Sequence, residues 1–305
     1  MYTFIVNPNA RSGLGHKVWS SLEKVLKERN VEYEVLFTKY QHHATKLTKQ
    51  LTSTGKECTI IALGGDGTIN EVMNGICDIS KTTLGYIPIG SSNDFARSLK
   101  LSTDALKALD HILNPSAYKY INIGTLEYKD KKRRFAVSCG LGFDAAVCHQ
   151  IVISKLKLML NKVGLGKLSY VTVAIQRLMA QKPGTMTLRF DDGRVETFEK
   201  AYFAASMNTK YEGGGFMFCP KAEPSDDILD VIVASDISKL KVLCLLPTAF
   251  KGWHVHVKGI HTYQCRHVEM ESEIALPVHT DGEPVFLQRK VLMGLEPEKL
   301  RLILS

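Results

Sequence analysis

Cys58-Thr-Ile-Ile-Ala-Leu-Gly-Gly-Asp-Gly-Thr-Ile-Asn-Glu-Val72 is the stretch whose reading decides the fold. Cys58 to Leu63 is a continuous apolar run, as expected of a central parallel strand buried on both faces. Gly64-Gly65-Asp66-Gly67 breaks the run, and Ile69 to Ile76 resumes at helical spacing. The same alternation extends outward. On the N-terminal side, Thr3–Val6 predicts a strand, Val18, Leu22, Val25 and Leu26 a helix, 31–37 a strand and Ala44–Leu51 a helix. On the C-terminal side, Leu84–Ile89 predicts a strand and Asp94–Leu99 a helix. This βαβα order implies a parallel sheet covered by helices, with ligands bound beyond the carboxyl ends of its strands.

The glycine turn at 64–67 has the chemistry a polyphosphate needs. Glycines allow close backbone approach, N–H groups point at the anion, and a helix N-terminus adds a favourable dipole. A simple strand-to-helix turn accounts for the glycines equally well. Asp66 separates the two readings, because a carboxylate beside phosphate is repulsive unless a divalent cation mediates. A second polar loop, Pro88-Ile-Gly-Ser-Ser-Asn-Asp-Phe-Ala-Arg97, joins the next strand to its helix. Ser91, Ser92 and Asn93 supply short-range donors, and Asp94 either caps the helix or joins a metal network.

After about Thr125 the texture changes to short strand-like runs: Phe135–Ser138, Thr185–Phe190, Ala201–Met207, Val231–Val233 and His267–Ile274. Turns such as Asp191-Asp192-Gly193 separate them, and one amphipathic helical section, Ile151 to Met179, interrupts. The expectation is an α/β domain over 1–124, rejoined by 285–305, and a mostly β domain over 125–284.

The 305 residues are 45% hydrophobic, which fits a globular protein and excludes disorder. No apolar stretch approaches the ~20 residues a membrane helix needs. The best candidate, Val242 to Phe250, is short, contains Pro247 and is flanked by Lys241 and Lys251. The N-terminus reads as a first strand rather than a signal peptide, so a cytoplasmic protein is expected. Seven scattered cysteines without paired spacing read as reduced thiols. His254 and His256 alternate as on one face of a strand, without a further ligand set for a metal.

The formal charge is +8, and its distribution is uneven. Ala145 to Phe190 holds no acidic residue but contains Lys155, Lys157, Lys162 and Lys167, and Lys129 to Arg134 is another basic run. A solvated face or attraction to an anionic partner explains either segment. Charge alone does not separate nucleic acid from membrane.

Five motifs in order resemble the family of bacterial diacylglycerol kinases, sphingosine kinases and related lipid kinases, distant relatives of NAD kinase. Ile5-Val6-Asn7-Pro8 with Ser12-Gly13 is similar to the family's opening nucleotide loop. Gly64–Thr68 with Asn70-Glu71-Val72 resembles its GGDGT-x-NEV signature, and Gly90–Arg97 its G-[ST]-x-NDFAR loop. Pro220-Lys221-Ala222 through Asp226-Asp227-Ile228-Leu229-Asp230-Val231 resembles its P-x-A…DG-x-LDV element, with Asp227 where glycine is usual. Asp281-Gly282-Glu283 resembles its DGE, although a hairpin turn would explain those three residues on their own.

The resemblance implies a Rossmann-like α/β domain and a C-terminal β-sandwich domain with a cleft between them. It implies ATP near Asn7, Ser12, Thr38, Gly64, Gly65, Asp66, Gly67, Thr68, Ser92, Asn93 and Asp94, together with Mg²⁺. Asp281 becomes the base that takes the proton of an attacking hydroxyl, and Glu283 orients metal or substrate. Asp66, Asp94 and Asp226 become an acidic network with magnesium, and Asp226 with the carbonyls around Leu229 holds a structural cation. The expected activity is transfer of the ATP γ-phosphate to a lipid hydroxyl, with diacylglycerol leading. An NAD kinase-like soluble acceptor and a non-catalytic nucleotide-binding regulator are the alternatives. The implied partners are a lipid substrate and peripheral contact with an anionic membrane surface rather than nucleic acid, and a homodimer is compatible with the chain.

Overall fold

The computed structural model describes residues 1–153, 176 and 178–304. The predicted amphipathic helix with its four lysines therefore lies almost entirely outside the described residues. The chain forms two compact units, one of residues 1–123 with 296–305 and one of residues 124–295.

The first unit contains β1 (Tyr2–Val6), α1 (Ala10–Glu28), β2 (Tyr33–Phe37), α2 (His43–Thr52), β3 (Cys58–Gly64), α3 (Asp66–Gly75) and β4 (Thr82–Pro88). Two helices, α4 (Asp94–Ser98) and α5 (Ala105–Leu113), lead into β5 (Ala117–Ile121). The sheet order is β2-β1-β3-β4, followed by the C-terminal strand Leu300–Leu304 and then β5, which is antiparallel at the edge. β3 lies between two parallel neighbours, and Ile60 to Leu63 are fully buried, as its unbroken apolar run requires. The chain moves to β2 on one side of β1 and to β3 on the other. Its loops therefore diverge at the β1/β3 carboxyl ends, where doubly wound sheets hold ligands.

The second unit begins with β6 (Gly124–Tyr128), β7 (Lys131–Phe135), β8 (Ser138–Gly142) and α6 (Phe143–Ile153). It continues with β9 (Gly184–Phe190), β10 (Val195–Met207), β11 (Tyr211–Glu212), β12 (Phe216–Met217) and β13 (Leu229–Ser235). Next come α7 (Lys239–Ala249), a 3₁₀ turn (Trp253–His256), β14 (Ile260–Cys265), β15 (Val268–Thr280) and β16 (Glu283–Leu295). β10 and β15 are each shared at both ends. β8 pairs with Phe203–Met207 and with Val278–Thr280, while β9 pairs with the opposite ends of the same two strands. The sheet thus folds over itself around a core that includes Phe135, Leu141, Leu188, Val231 and Met270. A second apolar layer on its other face joins Phe143, Phe203 and Ile232 to α7.

Three expectations are corrected. Phe135–Ser138 is not one strand: β7 ends at Phe135 and β8 begins at Ser138. The return to the first unit starts at Glu296, because β16 stays paired with β15 and β6 up to Leu295. His254 and His256 lie on a 3₁₀ turn rather than a strand. His254 is buried, with its Nε2 3.1 Å from the Phe218 carbonyl oxygen, and burial lowers its pKa.

Candidate active site

The parallel ladder continues past the strand ends and gathers the predicted nucleotide residues. Thr38 N–H donates to the Val6 carbonyl (2.9 Å), Asn7 N–H to the Leu63 carbonyl (2.9 Å), and Ile89 N–H to the Gly64 carbonyl (2.8 Å). Asn7, Thr38, Gly64–Thr68 and the loop after β4 consequently lie side by side. Asn7 Nδ2 also donates to Thr68 Oγ1 at 3.2 Å. Gly65 caps α3 in an extended conformation, with Asp66, Gly67 and Thr68 in the first turn. A helix N-terminus approached by glycine backbone can accept phosphate. Ser12 lies in a left-handed run, Arg11 to Gly13, that distorts the start of α1. Asn93 is also left-handed (φ 51°), and the Ser92 carbonyl accepts a long bond from Arg97 Nη2 at 3.5 Å.

Asp94 is not the cap of its helix. It is the first helical residue and buried, with Oδ1 3.9 Å from Arg97 Nε. Asp66 Oδ1 instead accepts the Phe95 N–H at 3.3 Å, bringing the two aspartates together. Tyr86, buried beneath them, has its pKa raised by burial first and then by the Asp66 and Asp94 charges. Glu71 of the NEV motif does not join this group. Its carboxylate accepts the N–H groups of His42 (2.8 Å) and Ala44 (3.1 Å) and fixes the start of α2.

In the second unit Asp281 and Gly282 form a left-handed turn between β15 and β16 (φ 51° and 80°). The Asp281 carboxylate accepts three successive backbone N–H groups, from Ala136 (2.7 Å), Val137 (2.8 Å) and Ser138 (3.0 Å). That grip explains the break between β7 and β8: these amides are bonded to a side chain rather than to a strand. Glu283 opens β16 opposite Thr280, and Arg133 Nη1 holds the start of that strand through the Pro284 carbonyl (3.1 Å). Asp226 also belongs to the second unit. Its Oδ1 accepts the Ile228 N–H at 3.0 Å, and burial foremost raises its pKa. Asp227, where the family has glycine, adopts the left-handed conformation glycine would supply (φ 65°), which aspartate tolerates better than most residues. The Leu229 carbonyl faces the Cys265 thiol at 3.9 Å.

One group was not visible in the sequence. His279 is fully buried, with Nε2 3.1 Å from both Asp144 Oδ2 and Glu212 Oε1. Asp144 and Glu212 line an apolar cavity of about 130 Å³, walled by Phe143, Phe203, Phe216, Leu245 and Ile260 among others. Asp144 Oδ1 has no hydrogen-bond partner among the described residues. The available signal was a histidine inside the otherwise apolar stretch Leu276-Pro-Val-His279.

The comparisons agree with these two halves. Residues 1–124 match the diacylglycerol kinase catalytic domain, and residues 137–304 match the YegS C-terminal NAD kinase beta sandwich-like domain. A diacylglycerol kinase of Mycobacterium tuberculosis is 28% identical over 284 residues, covering 92% of this chain and 88% of that one. The crystal structure of a diacylglycerol kinase from Bacillus anthracis superposes with a TM-score of 0.72 at 21% identity, covering 100% of this chain and 96% of the other. An NAD kinase from Archaeoglobus fulgidus, solved with ATP, shares the fold more distantly, with a TM-score of 0.53 at 14% identity over 99% of this chain and 93% of the other. With a diacylglycerol kinase catalytic domain joined to a YegS C-terminal domain, the chain belongs to the family of YegS-like lipid kinases and is a kinase, a phosphotransferase.

Proposed function

We propose that the protein transfers the γ-phosphate of ATP to the hydroxyl of a membrane lipid, with diacylglycerol or a close relative as acceptor. The apolar cavity carries the lipid part of this reading. It is lined almost wholly by aliphatic and aromatic side chains and ends on two carboxylates, one with an unengaged oxygen. An acyl chain would fill the apolar part, and a polar head with hydrogen-bond donors would satisfy the carboxylate end.

The strand-end loops of the first unit would hold the nucleotide: Asn7, Ser12 and Thr38, Gly64 to Thr68, and Ser92 to Asp94. Asp66 and Asp94 are adjoining hard oxygen donors, one of them buried, and suit Mg²⁺. When bound there, the ion supplies neutralisation of phosphoryl charge. Asp281 would accept the hydroxyl proton, with its orientation fixed by the three amides. Glu283 would orient the acceptor. Asp226 and the Leu229 carbonyl would hold a structural cation. The basic segment around Lys155 would make a reversible contact with an anionic membrane surface.

The test is transfer of labelled γ-phosphate from ATP to a panel of lipids, with NAD included. Labelled diacylglycerol or a related lipid supports the reading. Labelling of NAD alone, or of no acceptor, overturns it.

A further inference from the structure

The buried cluster under the cavity first suggests a metal centre, because donor atoms of Cys148, Glu212 and His279 all lie within 4.8 Å of one another. The backbone opposes this. Gly282 N–H donates to His279 Nδ1 at 3.0 Å, so Nδ1 carries a lone pair. A neutral ring with Nδ1 unprotonated has its proton on Nε2, the atom facing Asp144 and Glu212. A metal would need the Nε2 lone pair and would leave an Nδ1 proton against the Gly282 N–H. The ring is therefore a donor to the Asp144 carboxylate, with the Glu212 carboxylate beside it at 3.1 Å, and an acceptor from the turn.

The charges around the ring act in the other direction. Burial lowers the imidazole pKa, but Glu212, Asp144 and Asp281 more than reverse this, to about 9. Proton gain at Nδ1 would break the Gly282 bond, so the turn opposes the charged form. Space for this arrangement is reserved in β8, where a Cβ on Gly140 would fall on the Asp144 carboxylate and 2.5 Å from His279 Nε2.

We propose that His279 is a positioning residue, joining the polar end of the cavity to the turn that carries Asp281. Through Nε2–H it orients Asp144, beside Glu212, at the end of the cavity. Through Nδ1 it holds Gly282 N–H, and with it the left-handed turn that aims Asp281. The linkage rests on the kinase reading only for its consequence in turnover, since the hydrogen bonds exist whatever the acceptor is.

Two near-isosteric variants divide the two ends of the ring. His279→Asn keeps an acceptor near the Nδ1 position and withdraws the donor from the carboxylates. His279→Gln keeps a donor near the Nε2 position and removes the acceptor from Gly282. With a lipid that the wild type phosphorylates, H279Q should lower kcat about ten-fold or more with KM for the lipid nearly unchanged, because small misplacements of a reacting group are costly. H279N should retain most of kcat and raise KM instead. Equal kcat losses in the two variants, following their melting temperatures, would mean that His279 only supports the fold and would overturn the proposal. Nitrogen-15 NMR of the wild type decides the linkage even if no lipid is phosphorylated. Protonated Nε2 and bare Nδ1 at neutral pH, with a Gly282 amide that shifts in H279Q more than in H279N, support it. A proton on Nδ1 at neutral pH overturns it.

Discussion

Gly65 and Gly90 press backbone against backbone: a Cβ on Gly90 would stand 2.7 Å from the Gly65 Cα, and one on Gly65 would stand 3.2 Å from the Gly90 Cα. The contact joins the two polar loops into one surface, so a side chain at either position would separate them. It also leaves the N–H groups at the start of α3 open to an anion.

Gly65→Val should therefore weaken nucleotide binding by an order of magnitude or more while leaving the fold intact. Calorimetric titration with ATP and Mg²⁺, on protein shown to be folded, measures it. Wild-type affinity would mean that the phosphates bind elsewhere.

Glu71→Ala should have the opposite profile. Its carboxylate carries two amides at the start of α2 and makes no contact with the glycine turn itself. Losing this cap should cost about 1–2 kcal/mol of stability. Nucleotide affinity of the folded variant should stay near wild type. A denaturant titration and a binding titration, run together, separate the two effects.

The first unit was largely legible because its signals are local: a doubly buried strand shows as an unbroken apolar run, and Gly64 to Gly67 end it at the point where the chain turns. The second unit was less legible because its decisive contacts are distant. Nothing near Phe135 announces that a carboxylate 145 residues away will take the Ala136 amide and split the strand. The cluster of Asp144, Glu212 and His279 draws on α6, β11 and β15, so no spacing in the sequence reveals it. His254 and His256 mimicked a strand because two residues alone cannot establish a period; on the 3₁₀ turn, with three residues per turn, they face different ways, His254 buried and His256 exposed.

Asp230 supplies a pH signature. It is buried in β13, accepts one bond from Gln264 Nε2 at 3.3 Å, and has no hydrogen-bond partner for Oδ2 among the described residues. Burial foremost, with Asp226 nearby, raises its pKa to about 6. For an acid whose folded pKa lies above its unfolded value, the favourable contribution is present below about pH 4 and is lost as pH rises through about 6. Asp230→Asn should consequently be the more stable protein at pH 7.5, by on the order of 1 kcal/mol after solvent screening, with the gap closing toward pH 4. Melting temperatures across that range decide it, and a gap that widens on acidification contradicts the assignment.

Asp281→Asn should bind ATP with Mg²⁺ nearly as well as the wild type and turn over ~10²–10⁴-fold more slowly, as loss of a general base requires. The substitution also sets an amide group against three backbone donors, so some stability will be lost. Turnover should be read on the folded fraction with any accepted lipid. Comparable rates in the two proteins would remove Asp281 from the chemistry.

The last prediction concerns access to the proposed lipid acceptor. No helix among the described residues is long and apolar enough to cross a membrane. On the proposed reading, the acceptor lipid is met at the bilayer surface. Lys155, Lys157, Lys162 and Lys167 stand in a stretch with no acidic residue from Ala145 to Phe190. Each lysine near an anionic leaflet contributes on the order of 1 kcal/mol, and the attraction fades as salt rises. Replacing all four with glutamine should reduce sedimentation with anionic vesicles and slow phosphorylation of lipid within them. Phosphorylation of a short-chain, water-soluble analogue should be spared. Raising the salt should bring wild type and variant together, because it screens the interaction the substitution removes. Unchanged vesicle binding, or equal loss on both substrates, would mean that these lysines serve the fold and not the membrane.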